Sequence, residues 1–379
     1  MSPSKIASST EINIPGQSLR EGNHNGRLQS LDVLRAVAVL LVIVSHYSLV
    51  LPNDSSIFRA AACGVDLFFV LSGFLISGLL FSEYKKTGGI RLARFWIRRG
   101  FKIYPPFYVF IAGTALVALL LSHRIPREIL SEVVFVQNYF PHVWPHTWSL
   151  AVEEHFYLAL PLLLVFLIKR GKGTANPFRL IPMLSVFMCG ACLYLRVLAL
   201  RHGSDWNHVA FPTHLRIDAL FAGVALGYFA HFDKDSLHAA RRVWVLVVGL
   251  FFAMLLPLLP NMLHLTCAYV ASCFLVAWAA NRPQSTRAPI RLLAWIGCYS
   301  YSIYLWHVVA MFVLKRLPVA WYRFPVYAGA AIVLGVLMAK FIEVPSLRVR
   351  ERLMGGRVAT TPVANPFLAI RPAVSFRSE

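Results

Sequence analysis

What this sequence has least of is charge. Asp, Glu, Lys and Arg make up 14% of its 379 residues, against about 25% in an ordinary soluble domain. Hydrophobic residues account for 58%, and the mean hydropathy is +0.61. A soluble fold of this size needs more polar surface than that, so the soluble class is excluded. Disorder is excluded as well, because a chain with 13% aromatics collapses. Acids are scarcer than bases, 17 against 37, which leaves a net charge of +20. In a soluble chain that excess would point to nucleic acid. Here it fits the Lys and Arg that gather in the cytoplasmic loops of membrane proteins, so no nucleic-acid partner is expected. The six cysteines lie mostly inside apolar stretches. Cys189 and Cys192 form a CxxC within one such stretch, a poor setting for zinc or redox chemistry, so no metal is expected. P-loop, HExxH, GxSxG and EF-hand patterns are missing, which leaves transport ATPase, zinc protease and serine hydrolase without their anchors. Residues 1–29 are polar and contain no apolar signal core. The first hydrophobic run is therefore expected to be both a span and the insertion signal.

What the sequence does contain is a series of long apolar runs. Ten are readable, at about 33–51, 61–82, 103–122, 147–168, 180–200, 216–231, 242–259, 262–280, 292–314 and 326–343. Each is close to the ~20 residues that cross a bilayer as a helix and too long for a barrel strand. The expected fold class is all-α, a polytopic transmembrane bundle of about ten spans. A polar tail (1–29), a membrane domain (30–345) and a C-terminal tail (346–379) divide the chain. The stretch ILSEVVFVQNYF (129–140) is too short to span and reads as a re-entrant or interfacial piece. With the N-terminus inside, 26 Lys and Arg fall in cytoplasmic segments, 8 in outer segments and 3 within spans. That asymmetry places both termini in the cytoplasm.

Ionisable groups inside spans are costly, roughly 2.5–3.5 kcal/mol each on insertion scales, and are functional candidates for that reason. In the first span Arg35 and His46 are 11 residues apart. At 100° per residue they share a face, separated by about 16.5 Å along the axis, with Arg35 inner and His46 outer. Asp66 opens the second span, Glu153 and Glu154 the fourth, and Arg216 with Asp218 the sixth. All four spans thus place a polar group at similar depth in the outer half. Two readings stand: an ion-pair network that holds the bundle, or carboxylates that orient an imidazole for acid–base work. The segment Glu83–Lys102 carries seven basic residues. It either sets topology or forms a cytoplasmic site for an anionic cofactor, with Arg forks on phosphate. Tyr301, Tyr304 and His307 recur at helical spacing, as a packed face or a pore lining. Gly73, Gly78, Gly223 and Gly227 read as close helix contacts.

The Arg35–ten residues–His46 segment resembles the R-x10-H signature of the acyltransferase-3 family of integral membrane proteins. The likeness continues through GVDLFFVLSGFLIS (64–77), RRGFKIYPP (98–106), TWSLAVEEHFY (147–157), RIDALFAGVALG (216–227) and YSYSIYLWH (299–307), and covers about residues 28–345. This resemblance implies transfer of an acyl group, often acetyl, from cytoplasmic acyl-CoA to a hydroxyl of a surface or lipid-linked glycan. It implies an essential histidine at His46, with Arg35, Asp66 and Glu153 as the other signature positions. Lys102 stands where the family pattern has an arginine, and a point charge cannot grip phosphate bidentately. The SGNH-type domain fused to some members is not found in the sequence. A partner acyltransferase or glycan-assembly protein is the corresponding expectation, in the inner membrane of a bacterium.

Together these readings give a two-ended site. Acyl-CoA, a donor substrate and not a resident cofactor, sets its phosphates on Arg98, Arg99, Arg35 and Lys102. His46 acts as general base or acyl carrier, oriented by Asp66 or Glu153. Arg216, Asp218, Tyr301 and His307 meet the acceptor, with the outer loop 201–215. The rival class is a transporter, since a polar intramembrane centre also serves a permeation path. A cysteine placed at Asn53 should react with an impermeant thiol reagent added to intact cells, and one placed at Gly88 should not. Labelling at Gly88 from outside would invert the topology.

Overall fold

The computed structural model describes residues 29–48, 56–314 and 322–354. Among these the regular structure is helical. The helices of ten residues or more are α1 (Gln29–Tyr47), α2 (Cys63–Thr87), α3 (Leu92–Ser122), α4 (Trp148–Arg170), α5 (Ile181–Arg201), α6 (Thr213–Phe232), α7 (Val243–Leu255), α8 (Asn261–Ala279), α9 (Ala288–Cys298), α10 (Ser300–Leu314), α11 (Arg323–Met338) and α12 (Val344–Leu353). Seven helical stretches are long and apolar enough to cross a membrane: α1 to α6 and the continuous Arg323–Leu353. The ninth apolar run is a pair, α9 and α10, bent by 77° at the junction, and counts as an eighth if it is one broken span. The seventh and eighth runs form shorter helices, Val243–Leu258 and Leu263–Ala279. Pro257 and Pro260 break the chain between them, the first in a 3-10 turn and the second just before α8, where a missing N–H and a fixed φ end one helix and start the next. Large apolar side chains point outward all round the bundle, Leu121 (81% exposed), Met254 (77%) and Phe187 (67%) among them. That is the reverse of a soluble surface and fits a lipid solvent.

The basic segment Glu83–Lys102 is not a loop. α2 runs on to Thr87, where Gly88 at φ 70° caps it by donating its N–H to Tyr84 O (2.7 Å), and α3 begins at Leu92. The seven basic residues therefore ride on helix ends. Pro105 and Pro106 lie well inside α3. Each proline removes a donor, so the carbonyls one turn earlier need other partners. Phe101 O accepts from Ser346 Oγ (2.7 Å), and Ile103 O, in the same turn, accepts from the Tyr301 hydroxyl (2.8 Å). The start of the C-terminal tail is thus a helix, α12, stitched to α3 one turn before its prolines.

Close approach fixes the centre. A Cβ on Gly73 would lie 2.0 Å from Leu220 O, and one on Gly223 would lie 2.2 Å from Val70 O. α2 and α6 therefore touch backbone to backbone. α1 and α9 do the same, since a Cβ on Gly297 would stand 1.8 Å from Asp32 O. These contacts hold the second apolar run against the sixth and the first against the ninth.

Candidate active site

The outer half is organised by two ion pairs between helices. Asp66 of α2 receives a hydrogen bond from Arg216 of α6 (2.9 Å). Asp218 of α6 receives one from Arg196 of α5 (2.7 Å), which also donates to Leu215 O (2.8 Å) and Thr266 Oγ1 (2.9 Å). All four side chains are buried. A lone charge here would be prohibitive, and pairing with further hydrogen bonds makes it tolerable. The Arg216 guanidinium also stands over Phe69 and Trp148, 5.6 and 5.5 Å from the ring centres.

This corrects the expected partners of His46. Asp66 is committed to Arg216, and Glu153 accepts from Ser72 (2.6 Å) and Tyr157 (3.0 Å). The His46 ring instead bonds its own helix, Nδ1 to Val42 O at 3.0 Å. Its neighbours are two other imidazoles, His307 at 4.9 Å and His146 at 6.2 Å between ring centres. His307 does reach the site, but through His46 and not as a cavity wall. Asp218 does not: it faces Arg196 and lines none of the three cavities described next.

The outer cavity, about 1400 Å³, is lined by His46, Asp66 and Arg216 together with Asn138, Trp148 and Phe211. Trp148 and Phe211 stack at 4.9 Å and 19°, and the loop before α6 adds Asp205, Trp206 and His208. The expected re-entrant piece forms one wall. After the short helix Ile129–Val133 the chain turns at Phe135 (φ 57°) and presents Gln137, Asn138 and Tyr139 to the cavity.

A central cavity of about 700 Å³ lies inward of it and holds Arg35, Arg99, Lys102, Glu153, Tyr157 and Tyr301. Glu153 therefore sits with the cations, not at the level of His46. Arg35 is held by Asp32 at 2.5 Å. Arg99 stands over the Tyr157 ring at 5.4 Å. Lys102 is paired with Glu343, whose other oxygen accepts from Ser302 (2.6 Å). Its charge is thus already matched. Glu343 closes a π-helical turn, Ala339–Glu343, a distortion common at functional positions.

The inner cavity, about 1280 Å³, is cationic: Lys86, Arg91, Arg94, Arg98, Arg99 and Arg350 line it, with Glu83. Leu75, Arg99 and Lys102 belong to both the inner and the central cavity, and Val65 to both the central and the outer one. The three spaces form one series through the bundle. Such a series offers a polyanion a seat at one end and a polyhydroxylated ring a seat at the other, with the His46 imidazole on the wall of the outer cavity.

Residues 28–342 match the acyltransferase-3 family, whose model is described as an acyltransferase domain. The chain belongs to the acyltransferase-3 family. Among its relatives, the peptidoglycan O-acetyltransferase OatA of Listeria monocytogenes is 29% identical over 354 residues, 83% of this chain and 55% of that protein. The O-acetyltransferase OatA of Staphylococcus aureus is 30% identical over 358 residues, 84% of this chain and 57% of that protein. This acyltransferase-3 chain thus spans a little over half the length of the curated relatives it matches. No solved structure matches it.

Sequence reading missed His146, Glu132, Glu343 and Arg350. Glu132 is buried below the outer cavity, where Oε1 accepts from Trp144 N (3.2 Å) and Thr147 Oγ1 (3.0 Å). Oε2 has no partner. It thereby holds the turn that carries His146. Burial raises the Glu132 carboxyl from the ordinary 4.5 to about 7, so near neutrality its acid and carboxylate forms are comparably populated. Burial, with the nearby His46 and His142 rings, drives His146 down to about 3, against the hydrogen bond of Leu305 O that works the other way. A carboxyl raised on folding binds its proton more tightly in the folded state. Its contribution to stability is full below 4.5 and is lost as pH rises through about 7. Wild-type protein in detergent should therefore lose thermal stability between pH 5 and 8, and Glu132→Gln should lose distinctly less. Equal losses in the two would remove Glu132 as the titrating group.

Proposed function

We propose that this chain transfers an acyl group, acetyl in the first instance, from cytoplasmic acyl-CoA to a hydroxyl of a surface or lipid-linked glycan. Peptidoglycan, the acceptor named for the Listeria relative, is the first glycan to test. The observation that carries the proposal is the series of cavities from the cationic inner end to His46. The relatives' names as O-acetyltransferases support the group transferred. The wider setting belongs to the same proposal: ten crossings including the two shorter helices, both termini cytoplasmic, and a bacterial inner membrane.

A nucleotide with several negative charges cannot enter hydrocarbon cheaply, so it stays at the inner cavity with Arg91, Arg94, Arg98 and Arg99. Its thioester arm passes Leu75 and Arg99 into the central cavity, where Arg35, Glu153 and Tyr157 line the way. The acceptor enters from outside and lays a sugar face on Trp148 and Phe211, while Asn138, Arg216 and Asp205 take its hydroxyls. His46 Nδ1 is spent on Val42 O. Nε2 is therefore the base that receives the hydroxyl proton as oxygen attacks the thioester carbon. The thiol leaves toward the cytoplasm.

The two ends separate by experiment. Arg99→Ala removes a charge-assisted contact of roughly 1.5–3 kcal/mol, hence about a 10- to 150-fold weaker donor affinity. His46→Ala should leave that affinity unchanged and lower turnover at least about 100-fold. Calorimetry of acetyl-CoA binding in detergent, paired with transfer to peptidoglycan fragments, measures both. Normal donor binding in Arg99→Ala together with lost binding in His46→Ala would reverse the two ends. Wild-type protein that binds no acetyl-CoA and forms no ester would leave transport as the better reading.

A further inference from the structure

His46 lacks a carboxylate partner, and two more imidazoles stand where one would be. His307 comes from α10 and His146 from the turn before α4; their ring centres are 5.1 Å apart, and they lie 4.9 and 6.2 Å from His46. Each of the three rings spends one nitrogen on a backbone carbonyl. His46 Nδ1 bonds Val42 O (3.0 Å), His146 Nε2 bonds Leu305 O (3.1 Å) and His307 Nδ1 bonds Tyr304 O (2.6 Å). A carbonyl only accepts, so that nitrogen carries the hydrogen, and the second nitrogen of each neutral ring is a bare lone pair. His146 Nδ1 and His307 Nε2 are fully buried and have no hydrogen-bond partner. Only His46 lines a cavity. Apolar side chains would pack this space without stranding two acceptors. A proton taken up by one ring would give a neighbouring bare nitrogen a donor to accept from.

We propose that His46, His146 and His307 act as one proton-holding cluster, in which the proton that His46 takes from the acceptor hydroxyl is shared with the bare nitrogens of the other two rings. This rests on the acyl-transfer reading. The step balances without oxidant or reductant. The acceptor O–H bond and the thioester C–S bond break, the ester C–O bond forms, and the proton passes from oxygen through the imidazoles to sulfur, which leaves as the thiol. His307 and His146 act through His46 and are positioning residues. The shared proton replaces the carboxylate of a conventional histidine–acid pair and leaves the resting cluster uncharged. An uncharged cluster suits a site already next to one buried ion pair.

Other titratable groups pack around the cluster. The Asp66–Arg216 pair and His264 share the outer cavity, Tyr304 of α10 packs on His307, and Tyr327 of α11 stacks on Tyr47, the residue after His46. His142 precedes His146 and lines the same cavity. The Tyr304 hydroxyl is fixed, donating to His146 O (2.7 Å) and meeting Ser149 Oγ (2.5 Å).

Two substitutions separate proton sharing from packing, because each keeps the structural hydrogen bond and deletes the bare nitrogen. Asn in place of His307 still offers N–H at the Nδ1 position, and Gln in place of His146 still offers it at the Nε2 position. In full-length protein that melts at the wild-type temperature, His307→Asn should lower kcat about 100-fold, the low end of acid–base contributions, with KM for acetyl-CoA and acceptor unchanged. Its rate in H2O/D2O mixtures should fall on a straight line, where the wild type gives a curve from more than one moving proton. His146→Gln should act in the same direction. Wild-type kcat and an unaltered isotope curve in both variants would overturn the proposal. A second measurement needs no variant and no substrate: NMR of the full chain labelled with ring-15N histidine, titrated with acid in detergent. All three rings should shift together at one midpoint. Titration of His46 alone, with the other two resonances unmoved, would overturn the cluster even if acyl transfer is confirmed. Full transfer activity in His46→Ala would instead overturn the acyl-transfer reading beneath it.

Discussion

A charge inside a bundle of helices must be matched, and the way this chain matches its charges decides the rest. Asp66 is taken by Arg216 and Asp218 by Arg196, each across two helices and each fully buried. Glu343 takes Lys102 and Asp32 takes Arg35. Glu153 is left to two hydroxyls. Among the described residues no carboxylate bonds His46, and the histidine is held by its own helix backbone beside two other imidazole rings. Arg94 and Arg98, at the inner end of the series, stay open to solvent. Matching thus produces both the polarity of the cavity series and the uncharged outer centre.

The same constraint explains which contacts are tight. An ion pair between helices works only if the backbones approach closely enough for the side chains to meet in good geometry. α2 and α6, which carry Asp66 and Arg216, touch at Gly73 and Gly223, where a single Cβ would strike a carbonyl. Small residues, not large apolar ones, drive approach where lipid offers no hydrophobic gain. At the inner end the proline pair of α3 does comparable work. Pro105 leaves the Phe101 carbonyl without its helical donor, Ser346 supplies one, and this docks α12 so that Arg350 joins the cationic cavity.

Much of this was legible in the sequence, and the limits have physical causes. The Arg35–His46 spacing follows from helical geometry alone, and both residues line the series as expected. The basic cluster follows from composition, and Arg91, Arg94, Arg98 and Arg99 line one cavity. The helix-packing glycines were legible as small residues at spaced positions. What failed was pairing. Depth along the membrane normal is one coordinate, and sequence reading sets it only coarsely, so Glu153 lies with the central cations and not at the level of Asp66; which acid meets which base depends further on the rotation of each helix about its axis, which only tertiary contacts fix. His146 was invisible for a different reason. It lies in an irregular turn ahead of α4, where no periodicity assigns a face, and its position is set by Glu132, itself in a short helix of five residues. The bend between α9 and α10 likewise leaves no mark in an apolar run that hydropathy reads as continuous.

Sidedness of transfer in sealed vesicles bears most directly on the two-ended site. Purified protein is reconstituted so that labelled acetyl-CoA is confined to the face that carries Arg91, Arg94 and Arg98, and peptidoglycan fragments are confined to the opposite face. The expected result is labelled acetyl ester on the fragments, with no acetyl-CoA in their compartment and no ester when His46 is replaced by alanine. Ester formed only when donor and acceptor share one face would contradict a site that runs through the membrane.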